Sequence, residues 1–483
     1  MIKRVAVLLL MLLVTITGLI GYQWILYKLN NSNLEIAQHT PLDTEIELFH
    51  NNEKILIEQK VSNLLQSNFI VKLPHNISDL RCKTANGDNC NLVNEGREHR
   101  IYLENKTTVS FTYAILTDSQ ETAWWFDDWF VQFSNLENEI IPMNFEVMLT
   151  EKNKTTSWVA GASEIAIVEK DHLDYYVWSK QDSSELVLYM TSDSLHDNNE
   201  YGPLISIYSS EQKQDIEGLH NLIDKLSSQF ELTIVRSAHD DVYYSSQLIV
   251  VPLETESKKI EELILSVYIK RFKQPYNDDI AWIWDVLPAF ILDRPVGTSK
   301  VYEMSVELLE HVPSETKESF RKWLLEENVP AIKVNSLDLD HHLKLGTHLS
   351  TTFFSKNINQ TAPLVPFYYT ESRSVFFQNR KLNNDWAPVV RNEEVYFPFE
   401  VTLKGLGFNL TVFSKEKLYL LSKSGNSWRF YLDKTYFIYN QEDYGLLKKP
   451  LEQFDGEVFI SEKWLEQLLK VDVIKRENGI YLM

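Results

Sequence analysis

Residues 5–26 carry no charged side chain, and their polar interruptions are limited to Thr15, Thr17 and Gln23. An apolar run of this length satisfies its backbone in a bilayer only as a helix, which predicts a signal anchor over residues 1–29. Lys3 and Arg4 precede the run, and the preference of basic flanks for the cytoplasmic side places everything from about Asn30 onward outside the membrane. Tyr22, Trp24 and Tyr27 stand at the exit, where amphipathic rings favour the headgroup layer. A cleaved signal peptide is the alternative, although Gly-Tyr-Gln-Trp follows the run instead of a small-x-small cleavage site. No cysteine follows it, which excludes a lipoprotein anchor.

Beyond the anchor, polar and apolar positions alternate in short runs: Glu45–His50, Asn68–Leu73, Thr108–Tyr113, Asn144–Leu149 and Leu186–Met190. Period-two runs bounded by Asn, Asp, Gly and Ser predict an antiparallel β domain over 40–200. From about residue 205 the period changes. Ile216, Leu219, Leu222, Ile223 and Leu226 share one helical face, and helical patterns cover Ser257–Phe272, Asp278–Leu292 and Ser314–Glu327 around one strand candidate, Gln247–Leu253. This predicts a mostly helical domain over 205–360, closed by a linker at Asn357–Pro366.

The last part of the chain repeats itself. Glu394–Glu400 aligns with Glu457–Lys463, and the same offset carries Leu406 onto Leu469, Phe408 onto Val471 and Leu410 onto Val473. Each copy reads as a strand, a short amphipathic helix and a strand hairpin. Neither is long enough to close a core alone, so the pair is expected to pack as one domain over 364–483. The fold class is therefore multidomain α+β.

Composition narrows the function. The 483 residues hold 68 acidic against 47 basic side chains, a formal net charge of −21, and a field of that sign repels phosphate backbones and disfavours nucleic acid. Cys82 and Cys90 are the two cysteines, and Asn86-Gly87 between them signals a tight hairpin that brings the sulfurs together in an oxidising compartment.

Residues 364–483 resemble the copper amine oxidase N-terminal-like domain of Gram-positive envelope proteins. The likeness rests on Val395–Glu400 with Leu403–Leu410, and on Gly456–Ser461 with Leu465–Val473; the second copy lacks the proline and the glycine of the first. It implies a non-catalytic module, without copper chemistry, for surface presentation or for binding wall or partner.

The order of the preceding regions resembles the aminopeptidase N family of zinc peptidases. Members need His-Glu-x-x-His on a helix, whose i and i+4 imidazoles share a Zn²⁺, and a further acidic ligand in a Trp-rich segment downstream. Trp282–Phe290 resembles that segment, with Asp285 at the ligand position, and the family spacing leads back to Glu262–Ser266. Glu262 and Ser266 then stand where the resemblance requires histidines, and Leu263 stands where it requires the general base. A site so composed has no nitrogen donor, and the expectation is no catalytic residue, no metal and no cofactor.

Three other features carry candidate chemistry. Asp338, Asp340, His341, His342 and His348 gather within eleven residues, but His341 and His348 are two helical turns apart, about 10 Å. A helix start with Asp338 or Asp340 as N-cap, its imidazoles solvated, is the plainer reading. Trp124, Trp125 and Trp129 lie in a segment dense enough in aromatics to suggest sugar stacking, with core packing as the alternative. Gly-x-Ser-x-Gly and phosphate-binding loops are absent from the sequence.

Together these features lead to the expectation of a single-pass membrane protein, extracytoplasmic in bulk. It is expected to be no enzyme but a binding or scaffold protein whose partner is an envelope protein or a cell-wall component. The alternatives are a membrane-anchored zinc metallopeptidase with an atypical site, in which Asp285 works with the His341–His348 cluster, and a glycan binder using the tryptophans.

Overall fold

A computed structural model describes residues 40–483 apart from 52, 96–97, 104–106, 118–121, 154, 198–204, 212–217, 227–229, 240–241, 277, 327–332 and 383–384. The signal anchor expected over 1–29 lies outside the described residues, and among these no helix is long and apolar enough to cross a membrane. The described residues form two compact units, one of residues 40–223 with 228–257 and one of residues 224–227 with 258–483.

The first unit is built on a seven-stranded sheet in the order 163–169, 174–183, 143–151, 42–51, 54–62, 109–116, 77–84. Strict alternation sets its faces: Leu42, Thr44, Ile46, Leu48 and His50 point inward and the residues between them outward. Strands Leu42–Asn51 and Met143–Glu151 run parallel, with Ile46 opposite Val147, so the sheet is mixed and not antiparallel as expected. A period of two fixes which face is buried and says nothing about a neighbour's direction, which depends on the route of the chain between the strands.

A four-stranded and a three-stranded sheet complete this β structure, and Trp129, Trp158, Trp178, Phe111, Phe133 and Phe145 fill the core between them, each under 2% exposed. The Cys82–Cys90 disulfide is present, next to a turn in which the Gly87 N–H donates to Thr84 O. Gly87 has φ +86°, the left-handed conformation that glycine adopts without strain.

The same unit holds a five-stranded sheet whose central strands, Ile205–Ser209, Leu232–Ser237 and Leu248–Pro252, are parallel. One strand was legible here and three exist. Leu232–Ser237 is buried at every position, and a strand covered on both faces loses the alternation that would betray it. The helix expected around 211–230 falls partly outside the described residues; within the described ones it is α1 (Leu219–Ile223), with Leu219 and Leu222 buried, and it ends before Leu226.

The second unit begins with α2 (Ser257–Phe272) and a 3-10 helix, Asp278–Val286, that Pro288 separates from α3 (Pro288–Leu292). Proline suits the first turn of a helix and not its interior, so the single helix expected over Asp278–Leu292 is two. Next come α4 (Ser299–His311), α5 (Ser314–Leu325), α6 (Ser336–His342) and α7 (Phe353–Lys356).

The expected linker at Asn357–Pro366 is anchored at its start. Asn357 is fully buried; its side-chain amide donates to Phe353 O and Val365 O, and its Oδ1 accepts from Val365 N–H. In the C-terminal module, the two copies meet through antiparallel strands Glu394–Pro398 and Glu457–Ser461, with Phe397 opposite Ile460. Each strand leads straight into a helix, α8 (Phe399–Gly405) and α9 (Glu462–Leu469). Leu403, Leu406, Phe408, Leu465, Leu469 and Val471 join one core, so the repeat closes as a pair.

Candidate functional site

Helix α2 puts Glu262, Ser266 and Lys270 on one face at i, i+4 and i+8. Ile260, Ile264, Leu265, Tyr268 and Ile269 are buried, which fixes the rotation of that face. The 3-10 helix that follows carries Asp285 back to it. The Ser266 hydroxyl donates to Asp285 Oδ1, and Lys270 Nζ donates to the same oxygen at 2.7 Å.

Glu262, one turn earlier, is turned to other partners. Arg294 Nη1 donates to its Oε1 at 2.6 Å, Lys259 Nζ to its Oε2 at 3.3 Å, and the Gly297 N–H to the same Oε2 at 3.3 Å. Arg294 also binds Glu261 Oε2 at 3.1 Å and Lys258 O at 2.8 Å, which ties the chain after α3 to the first turns of α2.

This geometry does not fit a hydrolytic zinc centre. Ser266 and Asp285 are brought together, but by donation of the hydroxyl proton and against an ammonium, so that Asp285 Oδ1 is engaged by Ser266 and Lys270. Glu262 is held by a guanidinium. Leu263, beside them, has no proton-accepting atom. A cation needs acidic or imidazole donors pointed at a common centre. Among the described residues no group of three or more His, Cys, Asp or Glu side chains has such an arrangement.

The residues that decide this, Lys270 and Arg294, were not singled out in the sequence. Lys270 was readable there, four residues after Ser266 on a strongly periodic helix. Arg294 was not, since its approach depends on how the chain turns after α3.

The histidine cluster is dispersed. Asn335, and not Asp338 or Asp340, is the N-cap of α6: its Oδ1 accepts from Leu337 N–H and Asp338 N–H, while Asp338 returns a bond to Asn335 N–H. This is a reciprocal capping box. His341 and His348 are exposed, and His342 stacks on Trp323 with centroids 3.9 Å apart. Burial, with His341 and Lys273 nearby, lowers the His342 pKa against the opposing pull of Asp338. Lys273 is itself fully buried, donates to Glu326 O at 2.8 Å and lies 5.2 Å from the Trp323 ring centroid; burial lowers its pKa.

Asp340 faces away from the histidines. It accepts from Phe354 N–H, Ser355 N–H and the Ser355 hydroxyl, capping α7 with a carboxyl that burial raises to about 6.

The three tryptophans do not form a platform. Trp129 is 1% exposed and donates to Leu186 O, Trp124 packs on the β core, and Trp125 lies stacked on Tyr243 at 4.8 Å.

Residues 376–480 match the family model of the copper amine oxidase N-terminal domain, within the region where the sequence shows that resemblance. Solved structures with a similar fold include the M1 zinc metallopeptidase from Deinococcus radiodurans, with 12% identity, a TM-score of 0.44, and coverage of 68% of this chain and 95% of that one. Another is an aminopeptidase N family protein from Idiomarina loihiensis, at 9% identity, a TM-score of 0.36 and coverage of 52% and 54%. No curated protein matches the sequence.

Proposed function

We propose that this chain is a membrane-tethered, extracytoplasmic binding or scaffold protein of the cell envelope, with a peptidase-like central region that does not hydrolyse peptides. One observation carries the reading: the Asp285 carboxylate, at the position where the sequence resemblance requires a metal ligand, is an internal counter-ion of Lys270 and an acceptor for Ser266. A protonated amine beside a carboxylate supplies charge balance without a Lewis acid. The Leu263 side chain accepts no proton, and the carboxylates nearby are already engaged, Asp285 by Ser266 and Lys270 and Glu262 by Arg294. The C-terminal module supports the binding half of the reading, and the apolar run at residues 5–26 supports the tether.

The test is elemental analysis of the purified full-length chain together with hydrolysis of aminoacyl and short peptide substrates, with and without a chelator. The expected result is zinc far below one equivalent and no chelator-sensitive turnover. Stoichiometric zinc with turnover that chelation abolishes overturns the proposal.

A further inference from the structure

The five-stranded sheet of the C-terminal module reaches beyond its own core. Its strands Leu418–Lys423, Asn426–Tyr431, Tyr436–Tyr439 and Glu442–Gly445 follow one another as antiparallel neighbours. Register puts Trp428 opposite Tyr439 and Phe437 opposite Tyr444, so these four rings share the inner face. Trp428 and Phe437 are covered by the module. Tyr444, on the last strand, is 40% exposed and stacks one face on Phe437 at 5.4 Å. Between this overhang, Phe408 and the end of α9 lies a half-open cleft of about 650 Å³.

The polar groups on its walls discriminate between occupants. Gln467, Gln378 and Ser424 line the cleft around the aromatic floor, together with Asn426, whose Oδ1 accepts from the Tyr439 hydroxyl at 3.1 Å and from Asn440 and whose amide N–H groups remain for an occupant. An aliphatic or acyl occupant would strip water from these groups without replacing their hydrogen bonds, at a cost per group that a snug apolar fit does not recover. A pyranose ring offers apolar C–H faces and hydroxyl edges together, and so meets both kinds of wall.

Charge sharpens the choice further. None of the described side chains lining the cleft is acidic, in a chain of net charge −21, while two are lysines. Lys423 is fixed there, its Nζ donating to Leu406 O at 2.9 Å and lying 4.6 Å from the Phe408 ring centroid. Lys470 is the exposed C-cap of α9, in the left-handed conformation with φ +56°. Against a surface that repels anions elsewhere, this pair selects for a negative substituent.

We infer that the cleft lined by Phe408, Trp428, Tyr439, Tyr444, Asn426 and Gln467 binds a polysaccharide carrying carboxylates, the Tyr444 ring stacking on a sugar face and Lys423 and Lys470 facing the carboxylate. This names a ligand for the binding-protein reading and rests on it. It is read out by titration alone, so it stands or falls independently of the zinc and hydrolysis assays.

The experiment is calorimetric titration of the full-length chain in detergent with soluble glycan strands of alternating N-acetylated amino sugars, every second one bearing a lactyl carboxylate. Neutral chito-oligosaccharides of the same length and carboxyl-amidated strands serve as comparisons. Binding of the charged strand is expected, at least fivefold weaker for both neutral forms. Tyr444→Ala and, separately, Gln467→Ala, both at exposed positions, are expected to weaken it by tenfold and threefold. Tyr436→Ala, on the neighbouring strand and outside the cleft, is expected to leave it unchanged. No binding of the charged strand, equal binding of the neutral forms, or a Tyr436→Ala loss matching that of Tyr444→Ala overturns the inference.

Discussion

Lys270 Nζ lies 2.7 Å from Asp285 Oδ1, on the oxygen that also accepts the Ser266 hydroxyl. The two residues join a helix to the 3-10 segment that follows it, and a carboxylate so engaged at both donors is a fastening of the fold. Nearby, Arg294 does the same for Glu262 and Glu261. Both joints are partly open to solvent, which limits what each contributes.

Replacing Asp285 should therefore cost stability and nothing else. Asp285→Ala is expected to lower unfolding free energy by about 1–2 kcal/mol, the range for losing hydrogen bonds to a partly exposed charge. The Lys270→Met, Asp285→Leu pair should recover part of that loss, since neither charge is then left without its partner. Urea titrations of the parent, Lys270→Met, Asp285→Leu and the double variant measure the coupling; a strictly additive double variant would dissociate Lys270 from Asp285 energetically.

Asp340 makes stability depend on pH. Its carboxyl is raised from 3.8 to about 6 by burial, against the three donors that hold it. A raised folded-state pKa means that the contribution is fully present below about pH 4 and is lost as pH climbs through 6. The difference amounts to about 3 kcal/mol as an order of magnitude. Asp340→Asn is expected to flatten the stability profile between pH 4 and 7 relative to the unaltered chain, measured by denaturant titration at each pH.

Asn357 holds the bend after α7 with three hydrogen bonds from a fully buried amide. Asn357→Ala leaves two backbone groups without their partner and should destabilise the second unit by about 2–4 kcal/mol. Asn357→Asp, which keeps the acceptor and loses both donors, should be no better tolerated. A variant as stable as the parent in thermal denaturation would show that water replaces the amide.

Reduction of Cys82–Cys90 releases a loop of eight residues' separation. Chain entropy alone assigns such a loop about 2.5 kcal/mol. The reduced chain, or Cys82→Ser with Cys90→Ser, is expected to stay folded with faster amide exchange confined to the hairpin between residues 77 and 95.

Removal of residues 1–29 tests the proposed tether. A chain lacking residues 1–29 is expected to leave the membrane fraction, while the full chain stays in it and exposes residues beyond 40 to added protease on the outer side. Retention of the shortened chain at the membrane would assign attachment to another part of the protein.

The sequence by itself determined what depends on near neighbours. Alternation over Glu45–His50 marked a buried face, helical period marked α2 over its full length, Asn86-Gly87 marked the turn that joins the cysteines, and the constant offset between Glu394 and Glu457 exposed a duplicated unit that closes only as a pair.

Tertiary structure alone decided what depends on the path of the chain. It set strands 42–51 and 143–151 parallel, buried Trp129 away from any sugar, brought Arg294 to Glu262 from beyond α3, and left Tyr444 overhanging a cleft without acidic side chains. Local periodicity reports which side of an element is apolar, because that is a property of consecutive residues; which distant element covers that side, and which charge arrives beside it, is fixed by packing over the whole unit and has no signature in any short stretch.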